Sequence, residues 1–403
     1  MRSVKISSLA PGLNNRLEPT QLVTVLDDRS RGTFLYAADN VDINSKGYLA
    51  RRRGTSKRIE DSAHSIWADS KGAFAVVAGN LVALQLSGDQ LEQTPIRTGL
   101  PNRPLSYSRG ADGDLYWSNG QSIRRVAAGE DRPIATLPPN APDSFDIVAN
   151  SGGLAAGRYL LAFTEISVDG ESPATPVVQV DVPDNGSIAF TGLRHVYMSG
   201  PNGDILTYQG FGDRVLVHTQ DGRRCETINL ALMPAGSVVR HYRGRMLVAD
   251  DSVLYVSEPF NYGLYNPATS YFPFPERISV IEPVDNGLYI CADKTYWIGD
   301  LFNDTLQELL PYGALPGTSG QSPDLEQVFW QSPRGLVVAD KNQAVKNLQD
   351  DALVLPPAAS GASLYREQNG SLHIVSTRFA VEPSVAAATS FMDAEIVRKG
   401  TIL

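Results

Sequence analysis

Cysteine is scarce in this sequence, which has only Cys225 and Cys291 among its 403 residues. The two cysteines are far apart and not at a metal-ligand spacing, so we expect two reduced structural thiols in a protein made in the cytosol. Long apolar runs are also absent, and no stretch of 18 apolar residues is available to cross a membrane as a helix. The N-terminal sequence MRSVKISSLAPGLNN lacks the hydrophobic core of a signal peptide, so we expect no Sec export.

Motifs for catalysis and for metal or cofactor binding are missing as well. The five histidines never occur at the spacing of a zinc site. There is no nucleophile elbow and no Walker loop, and GFGDRV at residues 210–215 lacks the third glycine of a dinucleotide-binding loop. The sequence therefore predicts a protein that is not an enzyme and that holds no metal and no cofactor.

Helical periodicity is hard to find before the last twenty or so residues. The chain has 35 Gly and 26 Pro spread along its length, which leaves little room for long helices. Its formal charge of -9 makes the surface as a whole a poor binder of polyanions. These features predict an all-β globular protein.

The sequence does contain a repeat: a turn glycine, an alternating apolar strand, a short turn and a second strand. The turn glycines are Gly72, Gly113, Gly244, Gly287, Gly335 and Gly370. Their successive spacings are 41, 131, 43, 48 and 35 residues, and four of the five match the roughly 40–50 residues of a four-stranded propeller blade. We therefore predict a β-propeller of about six blades.

The spacing of 131 residues exceeds one blade by about 90 residues, which is close to the size of an immunoglobulin-like sandwich. Short alternating strands separated by turn residues fill this interval. We therefore predict an inserted immunoglobulin- or fibronectin-like β-sandwich. The expected order is an N-terminal arm over 1–40, propeller over 41–138, the inserted domain over 139–234, propeller over 235–381 and a C-terminal arm over 382–403.

Residues 40–54, NVDINSKGYLARRRG, have three interpretations. Asp42 and Asn44 sit at positions 1 and 3 of an EF-hand calcium loop, but Lys46 and Arg53 replace two of its ligands. The run of arginines is similar to a nucleic-acid patch. The interpretation that we favour is a tight turn followed by a strand that completes a blade formed mainly by the C-terminal end.

Two other segments keep alternatives open. The aromatic-rich residues 258–276 either pack under the propeller or bind a partner. The C-terminal arm is either a helix packed on its own propeller or an arm that reaches a neighbouring subunit. The candidate subunit-contact residues are Arg51, Arg52, Arg53, Phe391, Met392 and Ile396.

Several stretches resemble virion proteins of tailed bacteriophages. APGLNNRLEP and ADNVDINSKGYLARRRG resemble the opening of their tail-tube and stabilisation proteins. SEPFNYGLYNP and FPFPERISVIEPVDNGLYICADKTYWI resemble a blade pair of the same proteins, and SFMDAEIVRKG is similar to their C-terminal ends. The likeness covers residues 8–54 and 236–299 best and is greatest to the tail nozzle, or tail tubular protein B, of short-tailed phages.

This resemblance implies a structural protein of the virion tail, made in the host cytoplasm. It implies a homo-hexameric ring that continues the DNA channel and supports DNA retention and ejection. The implied partners are head-to-tail adaptor or portal proteins, tail fibre or needle proteins, and genomic DNA that passes without sequence-specific binding; no membrane is involved. The alternative is a propeller binding module, an adhesin or a receptor- or glycan-binding tail component, because one propeller scaffold serves many functions.

Overall fold

The computed structural model of the chain describes residues 8–9, 11–26, 31–39, 41–43, 47–51, 57–88, 90–322, 326–368, 371–380 and 391–396. For residues 366–368, 371–373 and 391–396 it describes the backbone alone. The chain divides into two compact units. Unit 1 is Met1–Ala63, Leu84–Glu92 and Phe274–Leu403, and unit 2 is His64–Ala83 and Gln93–Pro273.

The N-terminal part of unit 1 contains a 3-10 turn (Pro19–Gln21) and two small antiparallel hairpins. The first pairs β1 (Val23–Val25) with β2 (Arg31–Thr33), and the second pairs β3 (Val41–Ile43) with β4 (Leu49–Arg51). The predicted strand after the turn is therefore present. Its predicted place in a blade is wrong for the described residues, because β4 pairs only with β3 and is exposed at all three positions.

Among the described residues six sheets carry the predicted repeat, and we call them blades 1 to 6. Blade 1 consists of β5 (Ala63–Asp69), β6 (Gly72–Val77), β7 (Asn80–Ser87) and β8 (Gln90–Arg97). Blade 2 consists of β9 (Ser106–Arg109), β10 (Leu115–Ser118), β11 (Ile123–Ala127) and β12 (Glu130–Pro133). In both blades the strands are hydrogen-bonded in chain order, which is the meander of a propeller blade, and those of blade 2 pair antiparallel.

Strand β10 of blade 2 is buried on both faces. Leu115 and Trp117 of β10 belong to a core shared with Phe74 and Val76 of blade 1. Tyr116, which lies between them, belongs to a different core on the opposite face. Successive side chains of a strand point to opposite faces, so β10 contributes to two cores and is buried at all four positions.

The inserted segment forms its own sheet within unit 2. Its strands are β13 (Phe145–Val148), β14 (Gly157–Thr164), β15 (Ile166–Ser167), β16 (Gly170–Glu171), β17 (Val178–Val182), β18 (Ser187–Met198) and β19 (Thr207–Val215). Five of them are hydrogen-bonded into one continuous sheet, and β15 and β16 form a separate hairpin. This differs from the predicted sandwich, which has two separate sheets that face each other.

The long strand β18 explains the single sheet. Residues 187–190 of β18 pair with β13, whereas residues 195–198 pair with β14, and its pairing with β19 shifts register between these two parts. An irregularity of this kind bends a strand, so one strand joins two parts of the sheet. Both parts contribute to one core, which includes Phe163, Ile188 and Met198.

We expect residues 139–234 to fold when they are expressed alone. The buried side chains of the main insert core all come from residues 154–215, and the hydrophobic residues packed against it come from within 145–180. The segment should therefore show a cooperative thermal melt followed by the circular dichroism of its strands. An amide NMR spectrum without dispersion would contradict this prediction.

Blades 3 to 6 follow the insert. Blade 3 consists of β21 (Val238–Tyr242), β22 (Arg245–Asp250), β23 (Val253–Val256) and β25 (Tyr271–Pro273). A separate two-stranded sheet pairs β20 (Ala231–Leu232) with β24 (Leu264–Tyr265). Blade 4 consists of β26 (Val280–Val284), β27 (Gly287–Cys291), β28 (Thr295–Ile298) and β29 (Gln307–Leu310). Blade 5 consists of β30 (Gly320–Gln321), β31 (Gln327–Ser332), β32 (Gly335–Asp340) and β33 (Val345–Asn347), and blade 6 of β34 (Ser360–Gln368), β35 (Ser371–Phe379) and β36 (Phe391–Ile396).

The turn glycines mark the hairpin between the first two strands of a blade. In blade 3, Arg243 and Gly244 both have positive φ and connect Tyr242 directly to its partner Arg245. A two-residue hairpin of this type needs positive φ at both positions, which glycine adopts without strain. Gly370, the last of the predicted turn glycines, lies outside the described residues.

The fold class is confirmed as all-β and of the propeller type, with no α-helix in the described ranges. The blades begin at residues 63, 106, 238, 280, 320 and 360, so only the interval that holds the insert departs from about 40 residues. Residues 391–396 form a strand along β35, which corrects the helical alternative for this part of the C-terminal arm.

Candidate functional site

The predicted contact residues lie in two different sheets. Arg51 is the exposed last residue of β4. Arg52 and Arg53 lie outside the described residues. Phe391, Met392 and Ile396 lie in β36, whose six residues pair with β35 in blade 6. Their role in a subunit contact stays a prediction.

Residues 8–51, which we call the N-terminal segment, expose several large apolar side chains, as the insert also does. Val23 and Val25 of β1 are 58% and 69% exposed, Tyr36 is 54% exposed and Leu49 of β4 is 48% exposed. Hairpins of two three-residue strands bury little surface and are marginal by themselves. A segment that exposes several large apolar side chains has the character of an interface.

The N-terminal segment is nonetheless anchored to the rest of unit 1. The backbone N–H of Asn15 donates to the carbonyl of Ala352 at 3.0 Å. The Asn15 side chain donates from Nδ2 to the carbonyl of Val354 at 3.1 Å and accepts from its N–H at 2.7 Å. In an antiparallel sheet, two paired residues each donate one backbone N–H and accept another. The Asn15 side chain makes the same two bonds with the backbone of Val354, so it substitutes for a strand partner.

The two residues beside Asn15 complete this anchor. Asn14 is almost fully buried, and its Oδ1 accepts from the backbone N–H of Arg16 at 3.0 Å and of Leu17 at 3.1 Å. Arg16 donates from Nε to the carbonyl of Leu353 at 3.2 Å. The Asn-Asn element of the sequence therefore has two tasks: Asn14 fixes a turn, and Asn15 binds a distant part of the chain.

Charge is distributed unevenly between the beginning of the chain and the remainder. Residues 1–63 contain eleven Lys and Arg against seven Asp and Glu, which gives a net charge of +4. Residues 64–403 carry a net charge of -13, which together with +4 gives the total of -9. The two parts of the chain are therefore electrostatically complementary.

A cluster of titratable side chains lies at the hairpin between β9 and β10. The Tyr116 hydroxyl donates to the carboxylate of Asp112 at 2.6 Å, and burial together with this hydrogen bond raises the pKa of Tyr116. Arg125 binds Asp114 at 3.2 Å and Asp169 of the insert hairpin at 2.7 Å. Each of these groups has a partner, so the cluster joins the insert hairpin to blade 2.

The same hairpin contacts blade 3 through a histidine and a tyrosine. Nε2 of His241 lies 3.2 Å from the hydroxyl of Tyr262, which accepts the backbone N–H of Ala111 at 3.3 Å. Burial lowers the pKa of His241, so its neutral form is favoured. Tyr262 is buried beside Tyr116, so this part of the aromatic-rich stretch 258–276 packs inside unit 2.

Metal-binding groups and reactive thiols are not evident where the structure is described. No group of three or more His, Cys, Asp and Glu there is arranged to hold a metal ion. Cys225 and Cys291 are free and buried, and burial raises the pKa of the Cys291 thiol to about 12. Within the same ranges, no helix has the length and apolar character that a membrane crossing requires.

Comparison with protein-family models gave no match, and neither did comparison with curated proteins. Among solved structures, the chain aligns with virginiamycin B lyase from Staphylococcus aureus at 13% identity and a TM-score of 0.34, over 77% of this chain and 90% of that one. It aligns with the WD40 β-propeller domain of Doa1 at 12% identity and a TM-score of 0.31, over 79% and 90% of the two chains. The WD40 domain of Neurospora crassa Pan2 gives 14% identity and a TM-score of 0.33, over 78% and 86%.

Alignments at such scores carry no argument about function, and the fold assignment rests on the sheet topology of the chain itself. A propeller-type fold serves many functions. The fold alone does not identify the partner.

Proposed function

We propose that this chain is a structural, non-enzymatic scaffold that assembles with copies of itself into a ring in the tail of a tailed bacteriophage. The observation that carries the proposal is the N-terminal segment, which is fixed at its base by Asn15 and exposes Val23, Val25, Tyr36 and Leu49. Because this apolar surface is already anchored, binding of a partner orders few additional groups, and the loss of conformational entropy on binding is small.

A second copy of this chain is the partner that the charge distribution favours. Residues 1–63 carry +4 and the remaining residues carry -13. The N-terminal segment itself is neutral, with five cations and five acids over 8–51, so the positive charge lies in the flanking residues 1–7 and 52–63, which are attracted to the rest of another copy. A contact between two different surfaces of identical chains is heterologous, and it produces a ring when the rotation closes. Six copies are the number that the resemblance to tail nozzles implies.

The phage assignment rests on the resemblance of residues 8–54 to the opening of tail nozzle proteins. Two parts of that opening are the Asn14–Asn15 anchor and the β3–β4 hairpin, whose strand β4 is exposed. We propose the same partners as the resemblance implies: adaptor or portal proteins, fibre or needle proteins, and DNA that passes through the ring.

We expect the purified chain to form a closed oligomer that dissociates when Val23 and Val25 are both replaced by Ser. Each substitution removes an exposed valine from the proposed interface, and two buried valines contribute about 3–6 kcal/mol. Sedimentation velocity over a range of concentrations would measure the change. Added salt should weaken assembly of the unmodified chain, because part of the attraction is electrostatic.

Val168→Ser is the matched control, because Val168 lies in the β15–β16 hairpin and is 82% exposed. It should assemble as the unmodified chain does. A chain that stays monomeric at every concentration would rule out self-assembly. Equal dissociation of the control and the double variant would show that the N-terminal segment is not the interface.

We also expect the chain to be present in purified particles of the phage whose genome encodes it. Mass spectrometry of tail and head fractions should detect it in the tail at a fixed ratio to the portal protein. If the chain assembles with itself but is absent from the particles, the location in the tail is refuted and the role as a self-assembling scaffold stands.

A further inference from the structure

A polar cleft of about 440 Å³ lies in unit 1 between blades 4 and 5. Blade 4 contributes Asn286 from the turn before β27, Trp297 of β28, and Thr305 and Gln307 at the start of β29. Blade 5 contributes the turn after β32, with Asn342 and Gln343. Its volume falls within the range of small-molecule sites.

Hydrogen bonds between the two blades set the width of this cleft. Asn286 donates from Nδ2 to the carbonyl of Lys341 at 3.3 Å. The hydroxyl of Tyr289 donates to the carbonyl of Asp340 at 2.6 Å. The carboxylate of Asp340 in turn accepts the backbone N–H of Asn342 at 2.7 Å, which holds the turn in place. The cleft is therefore formed before any ligand arrives.

Several polar side chains of the lining have no hydrogen-bond partner among the described residues. They are the amides of Gln307, Asn342 and Gln343 and the hydroxyl of Thr305. Trp297 also lines the cleft, and its indole N–H lacks an acceptor within the same ranges but reaches solvent. These groups bind water in the free protein, and the polar groups of a ligand can replace that water.

The charges of the lining favour a neutral ligand. The ammonium group of Lys341 donates to the carboxylate of Glu326 at 2.8 Å, so its charge is compensated. Asp304 adds a carboxylate whose Oδ2 accepts the backbone N–H of Asp300 at 2.8 Å. Because Lys341 is already paired with Glu326 and Asp304 adds a negative charge, an anionic ligand would gain little electrostatic stabilisation in this cleft.

We propose that this cleft binds a neutral carbohydrate. Amide side chains both donate and accept hydrogen bonds, and each hydroxyl of a sugar does the same. Three amides, a hydroxyl and an indole N–H around one cleft match a ligand that has many hydroxyl groups and no charge. The proposal does not depend on self-assembly.

The test uses the full chain and an array of neutral and acidic oligosaccharides, followed by calorimetry with the neutral oligosaccharide that binds best. Gln307→Ala and Asn342→Ala should each weaken binding by about tenfold, because each removes an amide that bonds the ligand. Both residues are exposed, so thermal melts and the oligomeric state should not change.

Gln93→Ala is the matched control, because Gln93 is an exposed glutamine in β8, the fourth strand of blade 1, as Gln307 is in the fourth strand of blade 4. It should bind the oligosaccharide as tightly as the unmodified chain. The proposal is overturned if no neutral oligosaccharide binds at millimolar concentration, or if only acidic glycans or peptides bind. Equal affinities of the cleft variants and the control overturn it as well.

Discussion

Replacement of Asp131 by Ala is expected to lower the free energy of unfolding of unit 2 by about 3 kcal/mol. The Asp131 side chain is only 6% exposed and binds Arg97 at 2.7 Å and Arg124 at 2.6 Å. It also accepts the indole N–H of Trp117 at 3.0 Å. The variant leaves two arginines and an indole without their shared acceptor, next to the core between blades 1 and 2.

Differential scanning calorimetry would measure this effect as a fall of roughly 6–12 °C in the transition of unit 2. Glu130→Ala is the matched control from the adjacent position in β12. The side chain of Glu130 is 70% exposed and binds Arg132 at 2.8 Å, and an exposed pair contributes less than about 1 kcal/mol. Equal shifts in the two variants would show that the Asp131 cluster does not stabilise the unit.

Arg378→Met is expected to destabilise unit 1 by about 2 kcal/mol. The guanidinium of Arg378 is buried and donates to the carbonyl of Ser332 at 3.0 Å and, at 3.3–3.4 Å, to Pro333, Pro356 and the side chain of Gln331. Burial lowers the pKa of Arg378, and no carboxylate among the described residues pairs with it. Methionine removes a buried charge, which is favourable, but it leaves buried oxygens without donors, and that loss is larger.

Arg334→Ala serves as the control in the same unit. Its side chain is 54% exposed, lies 4.0 Å from Asp350 and covers the ring of Tyr312 at 4.8 Å, and we expect a shift of about 1 kcal/mol or less from such exposed contacts. Thermal melts of the two variants under identical conditions would compare them. An unchanged melt for Arg378→Met would mean that the hydrogen bonds of the guanidinium only offset the cost of burying its charge and add no net stability.

The propeller repeat could be predicted from the sequence because turn chemistry is local. Arg243 and Gly244 form a two-residue turn in which both residues have positive φ, a conformation that glycine adopts without strain. A glycine recurs at the corresponding turn of each repeat in the sequence. The interval of 131 residues between Gly113 and Gly244 likewise predicts an inserted segment. Both predictions use only the local pattern of residues around a turn glycine and the number of residues between successive turn glycines.

Other features depend on partners that no local pattern identifies. Leu49–Arg51 was correctly predicted as a strand, but the sequence gives no sign that it pairs with Val41–Ile43 rather than with a blade. The insert forms one sheet because β18 changes partners along its length, which depends on a register shift and not on alternation. Asn15 is matched with Val354, a residue 339 positions away.

That last pairing has a consequence for protein synthesis. The N-terminal segment leaves the ribosome first, but Asn15 has no binding site until Ala352 and Val354 have also emerged. At about 5–20 residues per second, the delay is on the order of tens of seconds. During translation a nascent chain therefore lacks the anchored surface that we assign to assembly, so neighbouring chains on one messenger RNA complete their own folding before they can join.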